Sequence, residues 1–179
     1  MQHSFSLVRL AAFAFAATIA STAAVTANPA NLANAGETSL GPVLAPGDWV
    51  AARADAASLR GKVVIVDVFT FGCINCRNIV PNLRSVRASA SGDVAIVGVH
   101  APETPYERVR SNVVTNLAEQ GIVWPVRLDD NFAVWRAYGI DAWPTQLIFD
   151  RRGRLRKTIV GDSQDALVDA TIAALRAER

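Results

Sequence analysis

The sequence predicts an α/β domain in which a buried parallel βαβ unit is extended by a hairpin into a central mixed sheet flanked by helices. Two runs rich in β-branched residues carry this reading, "KVVIVDVF" at 62–69 and "DVAIVGVH" at 93–100, with Ile79, Leu83 and Val86 recurring at helical spacing between them. The third observation is the order strand, tight turn, strand in "TQLIFD", "RRG" and "RLRKTIV", followed by an amphipathic stretch at 163–178.

Taken in order, residues 1–27 read as a secretory signal peptide. His3 and Arg9 stand without an acid, "LAAFAFAATIA" at 10–20 is apolar or small, and cleavage points follow Ala23, Ala27 or Ala35. Left uncleaved, Leu7 to Ala27 is just long enough to anchor the chain in a membrane. Residues 28–40, rich in Ala, Asn and Pro, read as a flexible approach, and the domain as 41–179. Asp67 is expected to be buried, since it interrupts an apolar strand covered on both faces. A helix is expected over about 73–89, kinked at Pro81, and the right-handed crossover rule then makes 62–100 one βαβ unit. Next come a helix at 104–120 with Val109, Val113 and Leu117 on one face, a short strand "IVWPV", and a short helix at 131–138 carrying Phe132, Trp135 and Tyr138. The last helix should bury Ala166, Leu167, Ala170, Ala174 and Leu175.

Composition narrows the chemistry. Half the residues are hydrophobic (51%), and 18 basic against 16 acidic side chains give a formal charge of +2. That balance offers nothing to nucleic acid or to an acidic partner. The only two cysteines, Cys73 and Cys76, lie together in "TFGCINCRNIVP". They fit a metal clip, a staple or a redox pair. A staple across so short a loop removes little entropy from the unfolded chain. Structural zinc needs more ligands than these two thiols and His100 supply. Copper held by Cys73, Cys76 and His100, as in a metallochaperone, is the competing chemistry. At a helix start, however, unpaired N–H groups and the helix dipole favour a thiolate on Cys73, and Cys76 lies one turn further on the same side. Cys73 then attacks a disulfide and Cys76 resolves the product.

This stretch resembles the active site of the thioredoxin superfamily, and the resemblance runs from 62 to 178. Asp67 stands six residues before Cys73, where the family places a buried aspartate that handles the proton of the resolving thiol. Pro81 stands five residues after Cys76, at the family's helix kink. "WPT" at 143–145 resembles its cis-proline loop, which implies a cis bond at Pro144 and substrate contacts from Trp143, Pro144 and Thr145. The signal peptide, the "GK" before the first core strand and an extra helix and strand at about 104–127 are similar to periplasmic TlpA- and ResA-type thiol-disulfide oxidoreductases. "CINC", "GVHAPE" and "AYGIDAWPTQLIFDRRG" resemble the thioredoxin-like domain of the DipZ type. Two departures stand out: Gly72 replaces the usual tryptophan, and Ile74-Asn75 replaces Gly-Pro between the cysteines. Reduction potentials of such folds span about −270 to about −120 mV, so the resemblance alone favours a reductant without fixing the direction of electron flow.

The implied protein is an exported, monomeric, periplasmic enzyme with no cofactor beyond its Cys73–Cys76 disulfide. Its partners are protein thiols and disulfides, with a CcdA-type membrane carrier supplying electrons. His100, at the end of its strand, is expected to be capped and solvated, with an accessory catalytic role as the alternative. Glu103, on the loop beyond it, is either an accessory proton carrier or an ordinary helix-start acid. Trp143, before the expected cis-proline, is expected to help select the partner.

Overall fold

The computed structural model describes residues 38–178. The leader, its three cleavage points and most of the 28–40 segment lie outside these residues. Strand β1 (Trp49–Val50) follows helix α1 (Gly41–Leu44), and helix α2 (Ala56–Leu59) leads into β2 (Val63–Phe69). Helix α3 (Ile74–Ser89) returns the chain to β3 (Val94–His100). A 3-10 turn (Pro105–Arg108), α4 (Arg110–Glu119) and β4 (Val126–Leu128) form the inserted helix and strand. Helix α5 (Ala133–Ala137), the β5–β6 hairpin (Thr145–Phe149, Leu155–Val160) and α6 (Asp165–Ala177) complete it.

The sheet runs β1-β4-β3-β2-β5-β6. Strands β2, β3 and β4 are parallel, while β1, β5 and β6 each run antiparallel to a neighbour. All seven residues of β2 are buried, as a central strand covered on both faces requires. Its side chains alternate between two cores. Val63, Ile65 and Phe69 face the cluster built with Leu83 of α3 and Ile172 of α6, while Val64, Val66 and Val68 face Val43, Val134 and Tyr138. This period of two puts Asp67 on the α3 side, the side of Cys76.

Several expected boundaries shift, each for a physical reason. The 104–120 helix divides at Val109, whose backbone is extended (φ −76°, ψ 110°) and whose side chain is 47% exposed rather than packed beside Val113 and Leu117. Strand β4 starts at Val126, four residues beyond the start expected from "IVWPV". Pro125 has no N–H for the ladder and contributes only its carbonyl, which accepts from Gly98 N at 2.8 Å. In α6, Val168, Ile172 and Leu175 are buried, whereas Ala166, Leu167, Ala170 and Ala174 are exposed. A helix apolar on most sides turns inward the face with the largest side chains, because burial free energy scales with area.

The chain is already docked before α1. Thr38 accepts a hydrogen bond from Leu155 N at 2.7 Å, and Ser39 bridges Arg154. Arg127 of β4 then reaches back, donating to the carbonyls of Val43 (2.9 Å), Pro46 (3.2 Å) and Ala45.

Candidate active site

Strand β2 delivers the chain to the carboxyl end of the parallel strands, and Thr70 to Cys73 turn it into α3. Cys73 N donates to Thr70 O at 3.4 Å, and Arg77 Nε fastens the Phe71 carbonyl at 3.1 Å. Cys73 is the N-cap of the sixteen-residue α3 and makes no side-chain cap bond, so its half-buried sulfur stands at the positive end of the helix. Cys76, one turn on, is 2% exposed. Burial pushes its thiol far up; the Thr70 backbone opposes this, while the adjoining Cys73 sulfur and the Asp67 carboxylate add to it.

Asp67 is 1% exposed, and Oδ1 has no hydrogen-bond partner among the described residues. Burial raises its carboxyl to about 7. It thus carries the proton on some molecules and not on others near neutral pH, beside a thiol that cannot ionise unaided.

The antiparallel pairing of Val68 with Thr145 lays the preceding loop alongside the exit of β2. Within that loop the Trp143–Pro144 peptide is cis, as the resemblance implied. Half-buried Trp143 packs on the same cluster as Cys73 and leans on Trp135, with ring centroids 4.5 Å apart. Thr145, grouped above with the substrate contacts, is 2% exposed, and its hydroxyl donates inward to Ala142 O at 2.8 Å. It shapes the loop rather than presenting itself to a partner.

His100 is not solvated. It is fully buried between Phe71, stacked at 5.4 Å, and Phe69, edge-on at 5.5 Å, and neither ring nitrogen has a partner among the described residues. Burial lowers its imidazole to about 4, with Glu107 pulling weakly the other way. The ring is therefore neutral packing in the wall behind the active-site turn. Among the described residues no group of three His, Cys, Asp or Glu is arranged to hold a metal ion, so Cys73, Cys76 and His100 do not form the copper site.

Glu103 is exposed, and the acid the loop brings to the active site is Glu107. Its carboxylate is 3% exposed and accepts from Gly72 N at 3.0 Å through Oε1. Through Oε2 it accepts from Glu103 N at 2.8 Å, Thr104 N at 2.7 Å and Thr104 Oγ1 at 3.2 Å. Burial alone would raise this carboxyl, but the nearby Thr70 hydroxyl and the N–H groups of Thr104, Glu103 and Gly72 outweigh it and hold it below its usual range. The signal was present in "TPYE": a threonine followed three residues later by glutamate is a capping box, and the two residues make one here.

Glu107 also accounts for Gly72. A Cβ there would lie 2.5 Å from Oε1, so the position where thioredoxins carry tryptophan admits no side chain. Because that carboxylate is tied down, Gly72→Ala is expected to lower stability by about 2 kcal/mol in urea denaturation. Adding Glu107→Ala should return part of that loss, and strict additivity of the two changes would refute the clash.

A half-exposed cysteine capping a helix, a buried partner one turn on, a buried carboxyl behind it and a cis-proline loop alongside make an arrangement chemically suited to dithiol exchange. The thioredoxin-like family model matches residues 61–155, and the chain belongs to that family. It is 34% identical over 122 residues to DipZ of Mycobacterium tuberculosis, covering 68% of this chain and 18% of that protein. It is 22% identical over 131 residues to the thiol-disulfide oxidoreductase YkuV of Bacillus subtilis, covering 73% and 88% of the two chains. A crystal structure of a thioredoxin-like superfamily protein superposes with a TM-score of 0.64 at 30% identity, over 74% of this chain and 92% of that one.

Proposed function

We propose that the protein is an exported thiol-disulfide reductant whose Cys73 attacks disulfides of client proteins and whose Cys76 resolves the product. The observation that carries this is the division of environment between the sulfurs: Cys73 half-exposed at the tip of α3, Cys76 buried beside Asp67. In the first step the Cys73 thiolate attacks one client sulfur, the client S–S bond breaks, and the departing client thiolate takes up a proton. In the second, Asp67 accepts the proton of Cys76, whose sulfur attacks Cys73 and releases the other client sulfur as a thiolate. The client gains two electrons, and the pair is left as a Cys73–Cys76 disulfide. The helix dipole favours charge on Cys73 in the attacking state.

The apolar leader supports an extracytoplasmic site of action in the periplasm, either free after cleavage or anchored without it. A membrane dithiol carrier of the CcdA type would return the electrons to the oxidised pair. Half-buried Trp143, on the cis-proline loop and packed on the same cluster as Cys73, is the side chain proposed to contact a client.

Equilibration with glutathione tests the proposal. A reductant poises the pair near the thioredoxin end of the scale, about −270 mV, whereas a value near −120 mV would make the protein an oxidant. A pair that never exchanges would remove the enzymatic assignment.

A further inference from the structure

Glu107 lies outside the exchange chemistry, yet its carboxylate is the buried charge bonded to the residue immediately before Cys73. Three features set it apart from an ordinary capping acid. It is nearly inaccessible. It bridges two segments 35 residues apart, the active-site turn at Gly72 and the loop after β3 at Glu103 and Thr104. It also fills the space a side chain at position 72 would occupy. It is buried near His100, on which Phe71 stacks at 5.4 Å, so little water screens it.

We infer that Glu107 is a positioning residue that clamps the Phe71-Gly72-Cys73 turn and, through its fixed negative charge, holds the Cys73–Cys76 pair toward the reducing end of its range. This deepens the exchange reading and rests on it. The helix tip favours negative charge at Cys73, whereas the Glu107 carboxylate, held by the N–H of the preceding residue Gly72, places a fixed negative charge beside the same turn. A charge that disfavours the thiolate disfavours the reduced form, so the disulfide becomes harder to reduce and the dithiol a better electron donor. The other titratable groups around the pair are Asp67 from β2, His100 from β3 and Arg77 on α3. His100 is neutral near pH 7, and the Arg77 side chain is engaged with the Phe71 carbonyl.

The test compares Glu107→Gln, which removes the charge at nearly constant shape, with Glu107→Asp, which keeps the charge and shortens the arm. Glutathione equilibration and the pH profile of Cys73 alkylation by iodoacetamide are read in the full chain. Glu107→Gln is expected to shift the glutathione equilibrium about tenfold toward the dithiol, ~30 mV for this two-electron couple, and to move the alkylation profile to lower pH. Glu107→Asp should stay close to wild type in both, even where it lowers the melting temperature. If both variants lose stability while equilibrium and profile remain within twofold of wild type, Glu107 is a structural clamp only and the electrostatic role is overturned. Should wild type itself fail to equilibrate with glutathione, the exchange reading falls, while the alkylation profile still decides the influence of Glu107 on Cys73.

Discussion

Cys73→Ser is expected to abolish disulfide exchange, a loss of about a thousandfold or more, while Cys76→Ser accumulates a mixed disulfide between Cys73 and the client. The asymmetry follows from the two environments. Cys73 is half-buried at the N-cap of α3, its sulfur making no capping bond, so a client disulfide can reach it and the helix tip favours the attacking charge. A serine hydroxyl there is a far weaker nucleophile and forms no disulfide, so the first covalent step is lost. Cys76 is 2% exposed, and burial disfavours its thiolate, so it does not attack first. It acts once Cys73 has brought a disulfide within one helical turn, and replacing it stops the reaction at the intermediate. Non-reducing electrophoresis and mass spectrometry of each variant mixed with an oxidised protein substrate read the difference directly. A trapped adduct on Cys76 in the Cys73→Ser protein, with none in the reciprocal variant, would reverse the assignment.

The parts of this site legible in the sequence are those in which one residue type carries its own constraint. A carboxylate inside "VVIVDVF" must be buried, neutralised or used, and period-two alternation then fixes which face it shares. A proline opening a strand, and two cysteines at the start of a helical pattern, likewise need no partner to be noticed. What escaped depended on contacts distant in the chain. Glu107 and Glu103 are both acids near the start of the insertion, and which one turns inward is decided by the Gly72 N–H, 35 residues away. His100 looked like a strand-end polar residue because nothing local revealed that Phe71 would fold back over it. The buried face of α6 is ambiguous in the sequence because Ala166, Leu167, Ala170 and Ala174 satisfy helical spacing as well as Val168 and Ile172 do. Spacing alone does not say which stripe the sheet selects. Strand β1, two residues long, is defined by its pairing with β4 and has no period of its own to detect.

Asp67→Asn is expected to separate stability from turnover in opposite directions. The folded protein holds this carboxyl at about 7, against 3.8 for the ordinary side chain, with burial as the cause. Between these values the native state binds a proton that the unfolded chain has released, so Asp67 makes stability fall as pH rises from about 4 to 7, after which its effect is constant. His100 works the other way, since its folded value of about 4 lies below 6.5 and its contribution grows with pH over nearly the same interval. Wild-type stability is therefore expected to be nearly flat there with respect to these two groups. The difference between Asp67→Asn and wild type cancels His100 and isolates the aspartate. The variant should gain relative stability from pH 4 to 7, by about 4 kcal/mol at most at 1.36 kcal/mol per pH unit, and hold that gain at pH 8. Exchange should suffer instead. An amide cannot accept the Cys76 proton, so resolution of the mixed disulfide is expected to slow by about a hundredfold near pH 7. The deficit should narrow as hydroxide takes over at higher pH. Urea titrations at pH 4, 7 and 8, with rapid-quench measurement of the second step, read both arms. A stability difference that does not change with pH would mean Asp67 titrates normally, and an unchanged second step would remove it from the proton path.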